Sequence, residues 1–441
     1  MISSDLAMWI ARQKKRSADA MERAISATRL IRRRDNFGQI IVPAKGSVLA
    51  SPDIADWDPE PDYFFHWLRD SAIVMRSVVE LMEDAADKSE RARWRGHFDD
   101  FVRFSLRLCD RDGATSCGEA RHATRHGFRK FLRPPTEILR LRGDKLLAEP
   151  RFNPDRSIDI FRWSRPQYDG PALRALACLR YLAAGGAPSE ELRRLLHIDL
   201  AFTLRHAGKR CIGPWEEPKQ KMHHYYVGLV QLGALRHGRD WAGKATGEWA
   251  AAQDRLLAAL DRHWSPAHQI IVAMRPASGR RVDDWLDASV LLAVWDANLP
   301  EGRHSVTDTR VEKTQSAIEN LFSREFPINR RAGLAPMLGR YRRDHYFGGG
   351  GWYPTTLAAA GLYYRRARDA RANRVAFFKR GDALMQTVRR LTPADGALSE
   401  QVDRGSGRQT SARHLSWSYA AFVGAACARQ QALDAIRRAR K

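Results

Sequence analysis

The spacing of helix-patterned segments constrains this fold more than any single motif. Apolar residues recur at three- and four-residue intervals along almost the whole chain, the period of one helix face. The pattern predicts twelve helices, at about 5–33, 71–85, 89–109, 171–185, 189–207, 223–237, 248–263, 286–297, 308–322, 354–370, 373–392 and 414–437. Several ends carry their own signals. Pro171 suits a first helical turn and Gly185-Gly186 suit a helix end. Ser189-Glu190-Glu191 offers a cap and first-turn carboxylates, and Pro354 opens the tenth segment. Links 2–3, 4–5 and 10–11 are a few residues long, and 6–7 and 8–9 about ten, whereas every other link is longer. Short links make antiparallel neighbours. Six such pairs would bring all the long loops to one face, the layout of an all-α, (α/α)6 barrel spanning 1–441, with 1–35 as its N-terminal helix. Gln39–Val42, Ser47–Ala50 and Gln269–Ala273 could form short hairpins. No alternating βα pattern appears, which excludes doubly wound and TIM folds, and no repeat period supports a solenoid.

Composition removes other classes. The 441 residues are 44% hydrophobic and include 13 Trp, too apolar and aromatic for disorder. No apolar run is long enough to cross a membrane. Met1–Ile10 lacks a basic and then apolar leader pattern. The five cysteines (109, 117, 178, 211 and 427) form no CxxC pair, which argues against a zinc site or disulfide framework. A cytoplasmic location, no metal and no cofactor are the expectations. The net charge of +23 invites a nucleic-acid reading, with basic runs at Lys14-Lys15-Arg16, Arg32-Arg33-Arg34 and 437–441. No nucleic-acid-binding motif accompanies them. Arginine is spread along nearly every helix, so a solvated basic surface and no specific nucleic-acid partner are expected. The histidines lack HExxH spacing and the serines a GxSxG context. Cys211 has no activating motif.

The long loops concentrate chemistry. The first carries Asp62-Tyr63-Phe64-Phe65-His66-Trp67-Leu68-Arg69-Asp70. An Arg–Asp pair beside aromatics suits vicinal hydroxyls and the C–H face of a sugar, or equally an ion pair at a helix start. The second ends in Trp163-Ser164-Arg165-Pro166-Gln167-Tyr168-Asp169-Gly170. The third holds Trp215-Glu216-Glu217, where a Trp beside paired acids could raise a carboxyl pKa, or where the acids simply open a helix. The fifth gives Gly339-Arg340-Tyr341, Asp344, Tyr346, Gly348–Gly351 and Trp352-Tyr353. Those glycines lack the following Gly-Lys-Ser/Thr of a phosphate loop and read as a flexible or close-approach segment. The sixth gives Leu398-Ser399-Glu400-Gln401-Val402-Asp403. Glycoside hydrolysis needs two carboxyl groups, and Glu216 and Glu400 are the candidates; their separation decides inversion or retention.

With these residues assembled, the chain resembles glycoside hydrolase family 15, the glucoamylase family. The matching stretches run from 46 to 420 in the family's order. They include Pro61–Ser71, Pro150–Asn153, Trp163–Arg174, Trp215-Glu216-Glu217, Leu286–Ser289, Gly339-Arg340-Tyr341, Trp352-Tyr353, Glu400–Asp403 and Ser411–Ala420. The resemblance implies an (α/α)6 barrel and an inverting exo-hydrolase that releases glucose from non-reducing ends without a cofactor. It implies Glu216 as general acid, Glu400 as general base and Tyr63 as a holder of the attacking water. It implies Arg69 and Asp70 gripping the terminal glucose, with Trp67, Trp163, Trp215, Arg340 and Trp352 lining the sugar sites and Glu217 supporting the next sugar.

Three departures bear on specificity. Tyr168 replaces a small polar or basic residue, Arg342-Arg343 replace Pro-Glu, and Gly348–Gly351 replace an Asn-Gly-Asn-Pro-like run. They open linkage and chain length, and an anionic leaving group meeting Arg342 or Arg343 becomes an option. Neither an N-terminal β-sandwich nor a starch-binding module accompanies the barrel, which suggests short oligosaccharides, α-1,4 or α-1,6. Trehalase activity, another family specificity, and a non-catalytic glycan-binding regulator on the same barrel are the alternatives.

Overall fold

The computed structural model describes residues 4–439 except 56–59, 116–121, 218–220, 242, 244–245, 277–280, 331–333 and 371. Cys117, Pro218 and the last two residues of the C-terminal basic run, Arg440 and Lys441, lie outside the described residues. Among those described, twelve helices of nine residues or more follow in chain order: α1 (Ser4–Ala24), α2 (Leu68–Glu83), α3 (Lys88–Cys109), α4 (Gly170–Ala183), α5 (Glu190–His206), α6 (Tyr225–His237), α7 (Thr246–Asp261), α8 (Ser289–Ala297), α9 (Thr309–Glu325), α10 (Tyr353–Asp369), α11 (Arg374–Leu391) and α12 (Ser416–Arg438).

The even-numbered helices form a closed ring, α2–α4–α6–α8–α10–α12 and back to α2. The odd-numbered helices pack outside, α3 on α2, α5 on α4, α7 on α6, α9 on α8 and α11 on α10, while α1 covers α12 and completes the sixth pair. This is an (α/α)6 barrel. Its sequence logic shows in the apolar stripes. Every residue of inner α8 is buried, whereas outer α7 buries only Trp249, Ala252, Leu256 and Leu260 along one face. A helix apolar on all sides belongs inside, and a single stripe marks an outer layer.

The caps work as their sequences suggest. Ser189 accepts from the Leu192 amide, and Asp87 accepts from the Glu90 amide while Glu90 reaches back to the Ala86 amide at 3.0 Å. Pro171 and Pro354 lie in the first turns of α4 and α10.

Some boundaries differ from the sequence expectation. The first helix stops at Ala24, and Ser26 takes a left-handed φ of 52°. Arg32–Arg34 is then a strand (β1), paired antiparallel with β2, Gln39–Ile41. The strand period sends Arg32 and Arg34 inward and leaves Arg33 exposed. Asp62 meets them at 3.1 Å and 2.8 Å, so this basic run is largely an interior ion cluster, not a solvated one. His223–His224 forms a two-residue strand ahead of α6. Gln269–Ala273 contributes a hairpin strand, whereas Ser47–Ala50 makes only a bridge from Val48 to Ile25. The 110–169 loop adds the short helices Pro135–Ile138 and Asp144–Leu147 and a small core of its own around Phe104, Leu132, Leu146 and Phe152.

All six long loops lie at the N-terminal ends of the inner helices. Two-residue ladders join them: His66–Trp67 with Arg151–Phe152, His223–His224 with Met274–Arg275, and Gly351–Trp352 with Gln401–Val402. Single backbone bonds link the rest, from Ile212 to Pro166, Ala288 to Arg340 and Ser416 to Ala50. Among the described residues, no helix is long and apolar enough to cross a membrane.

Candidate active site

The loop face encloses a cavity of about 1150 Å³. Its floor is built by the starts of inner helices. Asp70 lies in the first turn of α2 and Asp169 directly precedes α4, where a carboxylate meets the positive end of the helix dipole. Arg69 stands between them, 3.1 Å from Asp70 and 3.8 Å from Asp169, with its guanidinium over the Trp417 ring at 5.2 Å. Burial pushes both aspartates up to about 6 against the pull of Arg69. Burial likewise opposes the charge on Arg69, yet Asp70, Glu216 and Asp169 together hold it above its ordinary value. Arg69 Nε and Nη1 and both Asp169 oxygens are buried without a hydrogen-bond partner. Of this group, Arg69 and Asp70 line the cavity, where they present a charged pair to a polar ligand, and Asp169 backs them from beneath.

Glu216 occupies a turn with a left-handed φ of 56°, a conformation that non-glycine residues adopt at some cost. Three N–H donors converge on its carboxylate. Trp67 Nε1 lies 3.0 and 3.1 Å from the two oxygens, Arg69 Nη2 is 3.0 Å from Oε1, and Trp163 Nε1 donates to Oε2. Trp215, the tryptophan adjacent in sequence, is not among them. Its indole N–H reaches Asp287 at 3.0 Å from both oxygens, because the loop before α8 passes beneath it.

Glu400 is held by hydroxyls instead. Tyr63 donates to Oε1 at 3.2 Å and Ser411 donates to Oε2. Tyr63 also meets Tyr346, hydroxyl to hydroxyl, at 2.7 Å. Burial lifts the Glu400 carboxyl to about 7, with Ser411, Arg340 and Tyr63 pulling the other way. The contrast is chemical: one carboxylate is gripped by N–H groups including a cation, and the other is desolvated among hydroxyls.

Arg340 forms a second wall. It pairs with Asp344 through two bonds of 2.6 and 2.7 Å and packs among Trp215, Tyr346 and Trp352 at 5.1–5.4 Å from their ring centres. Glu217 lies 4.0 Å from it. All eleven residues singled out in the sequence, Tyr63, Trp67, Arg69, Asp70, Trp163, Trp215, Glu216, Glu217, Arg340, Trp352 and Glu400, line this one cavity. Among the described residues, no group of three or more His, Cys, Asp or Glu could hold a metal ion.

Comparison with known proteins gives this geometry its context. The family model for glycosyl hydrolases family 15 matches residues 35–110 and 134–427. The chain belongs to this family. Among curated proteins, it is 26% identical to glucoamylase-1 of Schizophyllum commune, over 89% of this chain and 70% of that protein. It is 25% identical to a probable glucoamylase of Schizosaccharomyces pombe, over 89% and 87% of the two chains. Among solved structures, the fold matches the Saccharomycopsis fibuligera glucoamylase with a TM-score of 0.77 at 20% identity, covering 98% of this chain and 96% of that one. It matches the Hormoconis resinae glucoamylase with a TM-score of 0.74 at 22% identity, covering 96% and 74%. The family-15 assignment makes the chain a glycoside hydrolase.

Against the family background, the three departures acquire structures. Tyr168 packs against Phe202 and His206. Arg342 is engaged by Asp284 at 3.3 Å and Glu325 at 3.2 Å, while Arg343 is 64% exposed at the cavity rim. In the glycine run, a Cβ on Gly349 would fall 1.8 Å from the Asp344 carbonyl oxygen, and one on Gly350 would fall 2.2 Å from that of Val402. Close approach explains these glycines. The sequence assigned no role to Asp169, Asp287, Ser411 or Tyr346. The first two had a readable signal, an aspartate at the last step of a long loop before an inner helix. The other two did not, since a serine and a tyrosine acquire meaning only from the carboxylate that the fold brings to them.

Proposed function

We propose that this hydrolase is an inverting exo-α-glucosidase that releases β-D-glucose from the non-reducing ends of short α-glucooligosaccharides. The observation that carries this reading is the pair of unlike carboxyl sites on one cavity. Glu216 acts as general acid, and the N–H groups of Trp67, Trp163 and Arg69 stabilise the carboxylate that forms as its proton leaves. Glu400 acts as general base; a carboxyl held at about 7 suits proton transfer near neutral pH. Tyr63 and Tyr346 hold the attacking water beside it. The polar floor of Arg69 and Asp70, with Asp169 buried behind Arg69, takes the hydroxyls of the terminal glucose, and a floor closed by helix starts favours a chain end over a chain interior. Trp67, Trp163, Trp215, Arg340 and Trp352 supply ring faces and a donor for sugars, with Glu217 beside the second one. Residues 1–441 act as one catalytic unit, since α1 closes the ring of pairs on α12. Four free cysteines, Cys109, Cys178, Cys211 and Cys427, fit a reducing cytoplasm.

The test is a short incubation with maltose, isomaltose, trehalose, kojibiose and nigerose, followed by proton NMR of the anomeric region. Early β-glucose supports inversion and names the linkage. An early excess of α-glucose over that carried by the reducing-end residue of a reducing disaccharide, or no glucose from any of the five, overturns the proposal; trehalose cleaved with inversion gives one α- and one β-glucose. Role assignment follows from Ala variants. Loss of the acid should spare α-glucosyl fluoride, whose leaving group needs no proton. Loss of the base should be rescued by azide with formation of β-glucosyl azide. If Glu400→Ala spares the fluoride and Glu216→Ala is rescued by azide, the two roles are reversed.

A further inference from the structure

Two of the three donors on Glu216 are tryptophan N–H groups, and both rings share one neighbour. The Arg151 guanidinium lies 3.7 Å from the centre of the Trp163 ring and 4.9 Å from that of Trp67. Arg151 is 1% exposed, and its Nη1 is buried without a hydrogen-bond partner. It sits opposite Trp67 in the ladder that joins the first two long loops. Asp159 fixes the other side of the guanidinium, with Arg151 Nε donating to Oδ2 at 2.9 Å. Asp159 is in turn held by Arg165 at 3.1 Å and by the Phe161 amide at 2.9 Å. Arg165 bonds Glu149 at 2.6 Å, and Glu149 accepts from Arg133 at 2.8 Å. Four buried charges and the part-buried Arg165, alternating in sign, therefore end on the two indole faces and on the Phe65 ring, 4.1 Å from the Arg151 guanidinium.

From this arrangement we infer that Arg151 is a positioning residue for proton donation. It clamps the Trp67 and Trp163 rings so that their N–H groups stay aimed at Glu216. A buried cation over an aromatic face is attracted by the ring quadrupole, and a desolvated one strongly so. The pairing with Asp159 limits where that cation can stand, and thereby how far either ring can turn. Arg151 contacts Glu216 only through the rings, so its removal should disturb aim and leave sugar binding largely in place. The inference rests on Glu216 being the proton donor.

The experiment compares Arg151→Met and Arg151→Lys on two substrates: the disaccharide found in the panel above and α-glucosyl fluoride. Arg151→Met should lower kcat on the disaccharide roughly 10–100-fold, the scale of an ångström-level misplacement, with KM within about 3-fold. On the fluoride its kcat should stay within about 3-fold of wild type. Arg151→Lys keeps the charge without the planar stack and should lie between the two. If Arg151→Met does not fold, Arg151→Lys alone carries the test through the same split. In a Trp163→Phe background, the Arg151 substitution should cost less than in the wild type. Equal losses on both substrates, no loss on either, or additive effects with Trp163→Phe overturn the inference. Glu216→Gln separates it from the underlying reading. If that variant shows no split, the donor assignment fails. If it shows the split and the Arg151 variants do not, the clamp alone fails.

Discussion

Replacing Ser411 removes one of the two hydroxyls that hold Glu400, and the consequence can be worked through from the site. Ser411 donates to Oε2 and Tyr63 to Oε1 at 3.2 Å, and both favour the ionised carboxylate against the burial that lifts it to about 7. A hydrogen bond to a charged group contributes roughly 1.5–3 kcal/mol, and about 1.4 kcal/mol corresponds to one pKa step, so losing Ser411 should raise the Glu400 pKa by roughly one to two. A general base must be ionised in the free enzyme. The acid limb of kcat/KM should therefore move to higher pH by the same amount, from about 7 toward roughly 8–9. At pH 6 the activity should fall about 10–100-fold, while near pH 9 the loss should shrink to a few-fold. The assay is a kcat/KM profile from about pH 4 to 9.5 on the preferred disaccharide. Ser411 has a left-handed φ of 64°, so Ser411→Gly removes the hydroxyl without strain and Ser411→Ala removes it with strain. The two variants should share the same shifted limb and differ in melting temperature. A limb that stays in place, or moves to lower pH, refutes the reasoning. A shifted alkaline limb would make Glu400 the acid.

Three further outcomes are expected. Glu400 has a folded pKa of about 7 against 4.5 when unfolded, so its contribution to stability is present below about 4.5 and lost as pH rises through 7. Glu400→Gln should accordingly stabilise the fold at pH 8, by up to about 3 kcal/mol, with the advantage gone near pH 4; urea midpoints at both pH values test this. Asp199→Asn leaves fully buried Arg174 without the carboxylate that meets it at 2.7 and 2.8 Å, and should cost about 3–5 kcal/mol in denaturant unfolding. A change below 1 kcal/mol would mean that water or another group compensates. Gly349→Ala puts a methyl against the Asp344 backbone, whose side chain anchors Arg340, and should raise KM roughly tenfold with a smaller effect on kcat. An unchanged KM would remove Arg340 from the binding wall.

What the chain determines locally is what its sequence shows directly. Helix periodicity, the cap at Ser189, and the prolines of α4 and α10 depend on neighbours a few residues away, so twelve helices are legible before any fold is known. The alternation of short and long links adds the barrel and its loop face, because short links leave few ways to pack. Even Glu216 and Glu400 stand out by their company of aromatics and arginines. Partnership is different. The N–H of Trp215 turned out to serve Asp287, 72 residues away, and not the adjacent Glu216. Glu216 instead takes its indoles from Trp67, 149 positions earlier, and Trp163, 53 positions earlier. Arg32 and Arg34 read as surface charge until Asp62 and the strand period bring them inside. Arg151 has no sequence signal beyond being an arginine in a matching stretch, and it gains its place only when two loops pair across a two-residue ladder. Secondary structure follows from short-range sterics and hydrogen bonds, whereas the donor each carboxylate meets is set by how six loops close over one ring of helices.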